Sequence, residues 1–134
     1  KEERAWACVM SGEICEDRGD FANASLWYKN SLVEHPGSKA AFRLCNSSFR
    51  EGNWSAAVDA YHVGVSNKSF LQVLDNGEVF EDASKILVAA SLRKLGRTKE
   101  AMQYCNEALA VFPNNVALQS LKVEIEKAVA RGVV

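Results

Sequence analysis

Small, aromatic and turn-forming residues recur along the chain in a fixed register. Gly19, Gly52 and Gly96 are each followed five residues later by an alanine, at Ala24, Ala57 and Ala101. Four residues further on stand Tyr28, Tyr61 and Cys105, and three beyond those the small residues Ser31, Gly64 and Ala108. Steps of four and three keep side chains on one face of a helix, so each segment predicts a helix that starts just past its glycine and buries that face. The alanines allow close approach to a neighbouring helix, and Tyr28, Tyr61 and Cys105 fill the seam one turn later. Each glycine suits a sharp turn out of a preceding helix, because it tolerates left-handed backbone angles. Pro36 and Pro113 stop the first and third of these helices, since proline cannot extend a helix under way.

A further helix is expected before each glycine. In the first, Cys8, Ser11, Gly12 and Cys15 take the packing positions, with Gly12 permitting close contact. In the third the equivalents are Lys85, Val88, Ala89 and Leu92, of which Lys85 is the poorest fit. The second reads in two ways. Counting back from Gly52 gives Ala41, Leu44, Cys45 and Ser48; counting forward from Pro36 gives Phe42, Cys45, Asn46 and Phe49. The first count is preferred, because helix pairing is fixed at the glycine turn. After Pro113, Asn114 and Asn115 cap a final helix running to about Ala130, with Val116, Leu118, Leu121, Val123, Ile125, Ala128 and Val129 as its apolar residues. It reads as a lone capping helix over an exposed core, or as the start of a further pair. Between Tyr61 and Asp82, Phe70, Leu71, Val73 and Leu74 have helical spacing, Asp75-Asn76-Gly77 signals a turn, and Val79 and Phe80 follow. This predicts two lengthened helices with an apolar tip.

Ala24 and Ala57 are 33 residues apart, and Ala57 and Ala101 are 44 apart, one period plus an insertion. These three concordant copies resemble the tetratricopeptide repeat, a pair of antiparallel helices of about 34 residues. The resemblance covers nearly the whole chain. It implies an all-α fold, a right-handed superhelical array of antiparallel helix pairs, with three repeats and a C-terminal capping helix in a single domain 1–134. The repeats would span about 5–37, 38–81 with the insertion near 66–81, and 82–115, and the cap 116–131. In that family the first helices line a concave groove that commonly holds an extended or helical peptide of another protein.

The groove-facing positions would be Trp6, Val9, Glu13 and Asp17, then Lys39, Phe42, Asn46, Phe49 and Arg50, then Ala83, Ile86, Ala90, Arg93 and Lys94. Val9, Phe42, Phe49 and Ile86 have no core role in the preferred register, so they are expected to be exposed apolar anchors for a partner. A register one residue off would instead pack them against neighbouring helices. Asn46 and Arg50 are expected to hydrogen-bond the partner. The family members that clamp a chaperone's C-terminal carboxylate use Lys and Asn, then Asn, then Lys and Arg. The matching positions here are Val9 and Glu13, Arg43, and Ala83 and Leu87. All five differ, and Glu13 would repel a carboxylate, so a chaperone-tail clamp is not expected.

Composition narrows the classes further. The 134 residues are 48% hydrophobic and 25% charged, as in an average globular domain, which excludes a largely disordered or collagenous chain. An apolar run such as Ile86–Ala90 is far short of the ~20 residues a membrane helix needs. The net charge of −1 argues against nucleic-acid binding through bulk positive charge. That charge is uneven. Residues 1–38 carry four Lys and Arg against seven Asp and Glu, 39–81 four against five, and 82–134 eight against five. Oppositely charged ends, or the apolar tip, would serve the alternative function of structural self-association.

No catalytic constellation is visible. His35 precedes a helix-ending proline and His62 lies inside a helix, and neither is spaced to join a nucleophile. No phosphate-binding G-x-x-x-x-G-K-S/T loop occurs. The acidic residues Glu13, Glu16, Asp17 and Asp20 read as a solvated helix end. Cys8, Cys15, Cys45 and Cys105 fit no zinc or disulfide spacing and read as small buried thiols, favouring a reducing, cytoplasmic home. Four Asn-x-Ser sequons, at Asn23, Asn46, Asn53 and Asn67, would matter only on the secretory route. Lys1 reads as the start of an excised or processed segment, with no signal peptide in view. The expectation is a non-catalytic protein-interaction scaffold without cofactor or metal.

Overall fold

Seven helices and no strand occur among the residues that the computed structural model describes, 2–35, 40–66 and 80–132. They are α1 (Glu2–Asp17), α2 (Phe21–Glu34), α3 (Ala40–Arg50), α4 (Trp54–Ser66), α5 (Phe80–Lys94), α6 (Thr98–Val111) and α7 (Val116–Ala130). Each helix packs on the next in sequence, and α3 also touches α5, and α5 touches α7. The first helices therefore form one layer and α2, α4 and α6 the other, as in an array of antiparallel pairs closed by a single helix. The expected apolar tip rests on residues 67–79, which lie outside the described residues, as does Pro36.

The turn inside each pair is built the same way three times. Gly19, Gly52 and Gly96 have φ of 75°, 84° and 80°, which strains any residue with a Cβ. The following residue donates its N–H to the carbonyl five residues back: Asp20 to Cys15, Asn53 to Ser48 and Arg97 to Leu92, at 2.8–2.9 Å. This satisfies a carbonyl that the ending helix leaves without a partner. The residue after each glycine then starts the second helix. Asp20 and Asn53 accept the N–H of Asn23 and Ala56 through their side chains, whereas Arg97 makes no such cap and instead forms two hydrogen bonds to Glu100. Asn115 accepts from the Leu118 N–H and starts α7, as expected.

Cys8, Ser11 and Cys15, expected to pack, are only half-buried on α1, whereas the packing columns of the second helices are buried. Ala24, Ala57 and Ala101 are fully so, with Tyr28, Tyr61 and Cys105 beneath them. Gly12 lies against the Tyr28 ring: a Cβ built on it would stand 2.5 Å from Cε1. The Tyr28 hydroxyl donates to Glu16 at 2.7 Å, and burial, then this bond, push its ionisation well above the ordinary tyrosine range. In α3 the count from Gly52 is the observed one, with Ala41, Leu44, Cys45 and Ser48 all buried and Phe42, Asn46 and Phe49 half-buried. Lys85 is held at its packing position by stem burial, with its ammonium 3.7 Å from Glu107 on α6. Buried hydroxyls tie the first repeats together: Ser31 donates to the Ala5 carbonyl, and Ser25 to Ser47, which donates to the Phe21 carbonyl.

All four cysteines are free, but the expectation of buried thiols holds only for Cys45 and Cys105, and is corrected for Cys8 and Cys15, which are half-buried on the edge helix α1. Burial pushes the Cys45 thiol from 9.0 up to about 12. Because the folded value lies above the unfolded one, its contribution to stability is complete below pH 9 and declines as the pH climbs from 9 towards 12. The melting temperature should therefore fall over that interval, and less steeply in Cys45→Ala; an equal slope in the variant would contradict this. A thiol reagent at neutral pH should modify Cys8 and Cys15 in the native protein and reach Cys45 and Cys105 only on unfolding. Equal labelling rates at all four would contradict the burial pattern.

Candidate functional site

The layer of α1, α3 and α5 presents three positions in equivalent places, ten, six and three residues before each turn glycine. The first carries Val9, Phe42 and Ile86, the second Glu13, Asn46 and Ala90, and the third Glu16, Phe49 and Arg93. All nine are half-buried. Two residues before each glycine stand Asp17, Arg50 and Lys94, all exposed, and thirteen before the first stands Trp6, 66% exposed. Val9, Glu13, Phe42, Asn46, Phe49, Ile86, Ala90 and Arg93 thus recur at equivalent places on the first helices. Glu16, not among the expected residues, stands where Phe49 and Arg93 do, and the side chain of Ala83 lies outside those described. Lys39 lies outside the described residues.

One expectation is corrected. Val9 and Phe49 pack against the core cluster of Tyr28, Leu44 and Cys45, and Ile86 against that of Tyr61, Val88 and Leu92. They do have a core role, although the register is the preferred one. For Phe49 and Ile86 the reason is lateral crowding: α3 is flanked by α2, α4 and α5, and α5 by α3, α4, α6 and α7, so less of their circumference faces water than an isolated pair would leave. These side chains are half core and half surface.

Charges in the layer are partly spoken for. Glu13 lies 3.8 Å from Arg43, a contact between α1 and α3. Arg93 is the exception, with its Nε buried and no hydrogen-bond partner among the described residues. A buried guanidinium N–H without an acceptor is costly, and the rest of the Arg93 side chain is only half-buried. Ser48 and Ser84 likewise bury hydroxyls that find no partner among the described residues.

Phe21, Trp54 and Thr98, two residues after each glycine, stand outside the glycine–alanine pattern of the repeat. The Arg50 guanidinium stands 5.0 Å from the Phe21 ring centroid, and the Lys94 ammonium 5.9 Å from that of Trp54. Phe49 meets Trp54 edge to face at 5.3 Å. Each ring opens a second helix, and each cation ends the next first helix, so these are rungs joining consecutive repeats. The signal was present as an aromatic recurring at glycine plus two and a cation at glycine minus two.

Among the described residues no group of three or more His, Cys, Asp or Glu is placed to hold a metal, and no helix is long and apolar enough to cross a membrane. His62 is exposed and lies edge-on to Tyr61.

No protein-family model matches the chain, and no curated protein matches it in sequence. Solved structures match closely in shape. The first tetratricopeptide domain of Spaghetti (RPAP3), bound to the HSP90 peptide SRMEEVD, superposes with a TM-score of 0.80 at 16% identity, covering 97% of this chain and 96% of that one. The first such domain of human RPAP3 gives 0.77 at 16% identity, covering 98% and 96%. With the glycine turns, the alanine columns and the paired helices in place, the chain has the tetratricopeptide-repeat fold.

Proposed function

We propose that this chain is a non-catalytic protein-interaction scaffold whose concave groove takes an extended or helical segment of a partner protein. The observation that carries the reading is the column of half-buried apolar residues Val9, Phe42 and Ile86 on successive first helices, with the half-buried Arg93 two turns beyond Ile86. That column supplies apolar contact along the layer, and Asn46, Ala90 and the exposed Arg50 complete it. Support for a protein partner also comes from the RPAP3 domain of like fold, which holds a peptide.

The segment bound is an internal one rather than a chaperone's C-terminal carboxylate. Of the positions that a carboxylate clamp uses, Val9 and Leu87 pack against the core, and Glu13 and Arg43 face one another at 3.8 Å. None offers a free cation to a terminal carboxylate at that place. An acidic group of the partner is instead directed to Arg93.

Peptides selected on the immobilised domain from a random-sequence display library test the reading. Their affinity should fall by roughly 1–3 kcal/mol on Phe42→Ala, as for a central anchor, and also on Arg93→Ala. Selected peptides indifferent to both substitutions would contradict it. A sedimentation coefficient independent of protein concentration is expected, and a concentration-dependent dimer would favour self-association instead.

A further inference from the structure

The first two junctions between repeats are closed by a ring and a cation, Phe21 with Arg50 and Trp54 with Lys94. The third junction, between α6 and α7, has the same backbone frame. Gly132, with φ 79°, ends α7 as Gly52 and Gly96 end α3 and α5. Yet the two columns now carry Thr98 and Ala130, so both the ring and the cation are missing together. In their place is a cleft of about 510 Å³ lined by Thr98, Lys99, Met102, Glu126, Val129 and Ala130.

We propose that this cleft is a binding site for an aromatic side chain of a partner polypeptide, which occupies the position that the chain fills with its own ring at the other two junctions. The volume is within the range of about 300–1,000 Å³ usual for ligand sites. Met102 is half-buried there, and a thioether packs favourably on an aromatic edge. Val129, 53% exposed, and Ala130 add apolar wall. Lys99 supplies a cation for the ring face, as Arg50 and Lys94 do elsewhere, and Glu126 an acceptor for an indole N–H or a phenol O–H. This favours tryptophan or tyrosine over phenylalanine. The cleft involves α6 and α7, and its occupancy does not depend on anything bound along α1, α3 and α5.

The test uses N-acetyl-tryptophanamide as the probe and the methyl NMR signals of Met102, Val129 and Ala130 as the readout. Saturable shifts confined to those methyls are expected, with a weaker response to N-acetyl-leucinamide. Thr98→Trp, which restores the ring of the other junctions, should weaken probe binding at least about tenfold. Ala130→Arg, at an exposed position that leaves the fold intact, restores only the cation and should tighten binding by roughly two- to fivefold. No saturable shift at these methyls, an equal response to the leucine probe, or weaker binding in Ala130→Arg would overturn the proposal.

Discussion

Replacing Gly12 by valine should destabilise the domain by about 3 kcal/mol, at the upper end of what overpacking costs. On helix propensity alone the change would be mildly favourable, because glycine is a poor helix former. Packing decides the sign. A Cβ on Gly12 meets the Tyr28 ring at 2.5, 2.8 and 2.9 Å, and that ring is fully buried and hydrogen-bonded to Glu16, so it has nowhere to move. The same geometry makes a second statement. In a Tyr28→Ala background the ring is gone, and Gly12→Val should then cost little or nothing. Thermal or urea unfolding of the four proteins gives the coupling energy directly. Additive losses would mean that α1 and α2 do not meet at this pair.

Tyr61→Ala should cost ~3–5 kcal/mol, the usual loss for emptying a buried aromatic site. Tyr61 is 5% exposed, touches Tyr104 edge to face at 5.6 Å, and belongs to the cluster that joins α4 to α5 and α6. Phe42→Ala should cost less than ~2 kcal/mol, since Phe42 is only half-buried and belongs to neither core cluster. Phe49 is not a clean reporter of binding, because it packs on both the core and Trp54. Denaturant unfolding of Tyr61→Ala and Phe42→Ala in parallel measures the contrast, and equal losses would place Phe42 in the core.

The parts of this fold most legible in the sequence are those where packing leaves the fewest choices. Close helix contact demands Ala24, Ala57 and Ala101, and a left-handed turn demands Gly19, Gly52 and Gly96, so both columns stand out against varied neighbours. Fixing the register at the glycine also separated Ala41 from Phe42 correctly, because the turn and not Pro36 sets how the pair docks. The core share of Val9, Phe49 and Ile86 was not legible. Whether an apolar side chain on a first helix is open or half-covered depends on how tightly the neighbouring first helices crowd it, and no periodicity encodes that spacing. The unpaired Arg93 Nε was equally hidden, since an arginine among groove residues reads the same with or without an acceptor. The ring-and-cation rungs were readable in principle. Their columns carry Phe21, Trp54 and Thr98, and Arg50, Lys94 and Ala130, but their meaning lies between repeats, whereas the glycine–alanine pattern lies within one.

On the proposed function, the layer of α1, α3 and α5 is the surface a partner protein occupies. The most direct measurement is backbone amide NMR of the domain saturated with a library-selected peptide, in wild type and in Arg93→Ala. Shifts concentrated on residues 9–17, 42–50 and 86–94 are expected, with the Arg93 guanidinium signals moving and affinity falling when the guanidinium is removed. Shifts concentrated instead on the outer residues of α2 and α4, such as Leu26, Val33 and Val63, with Arg93 unmoved, would contradict it.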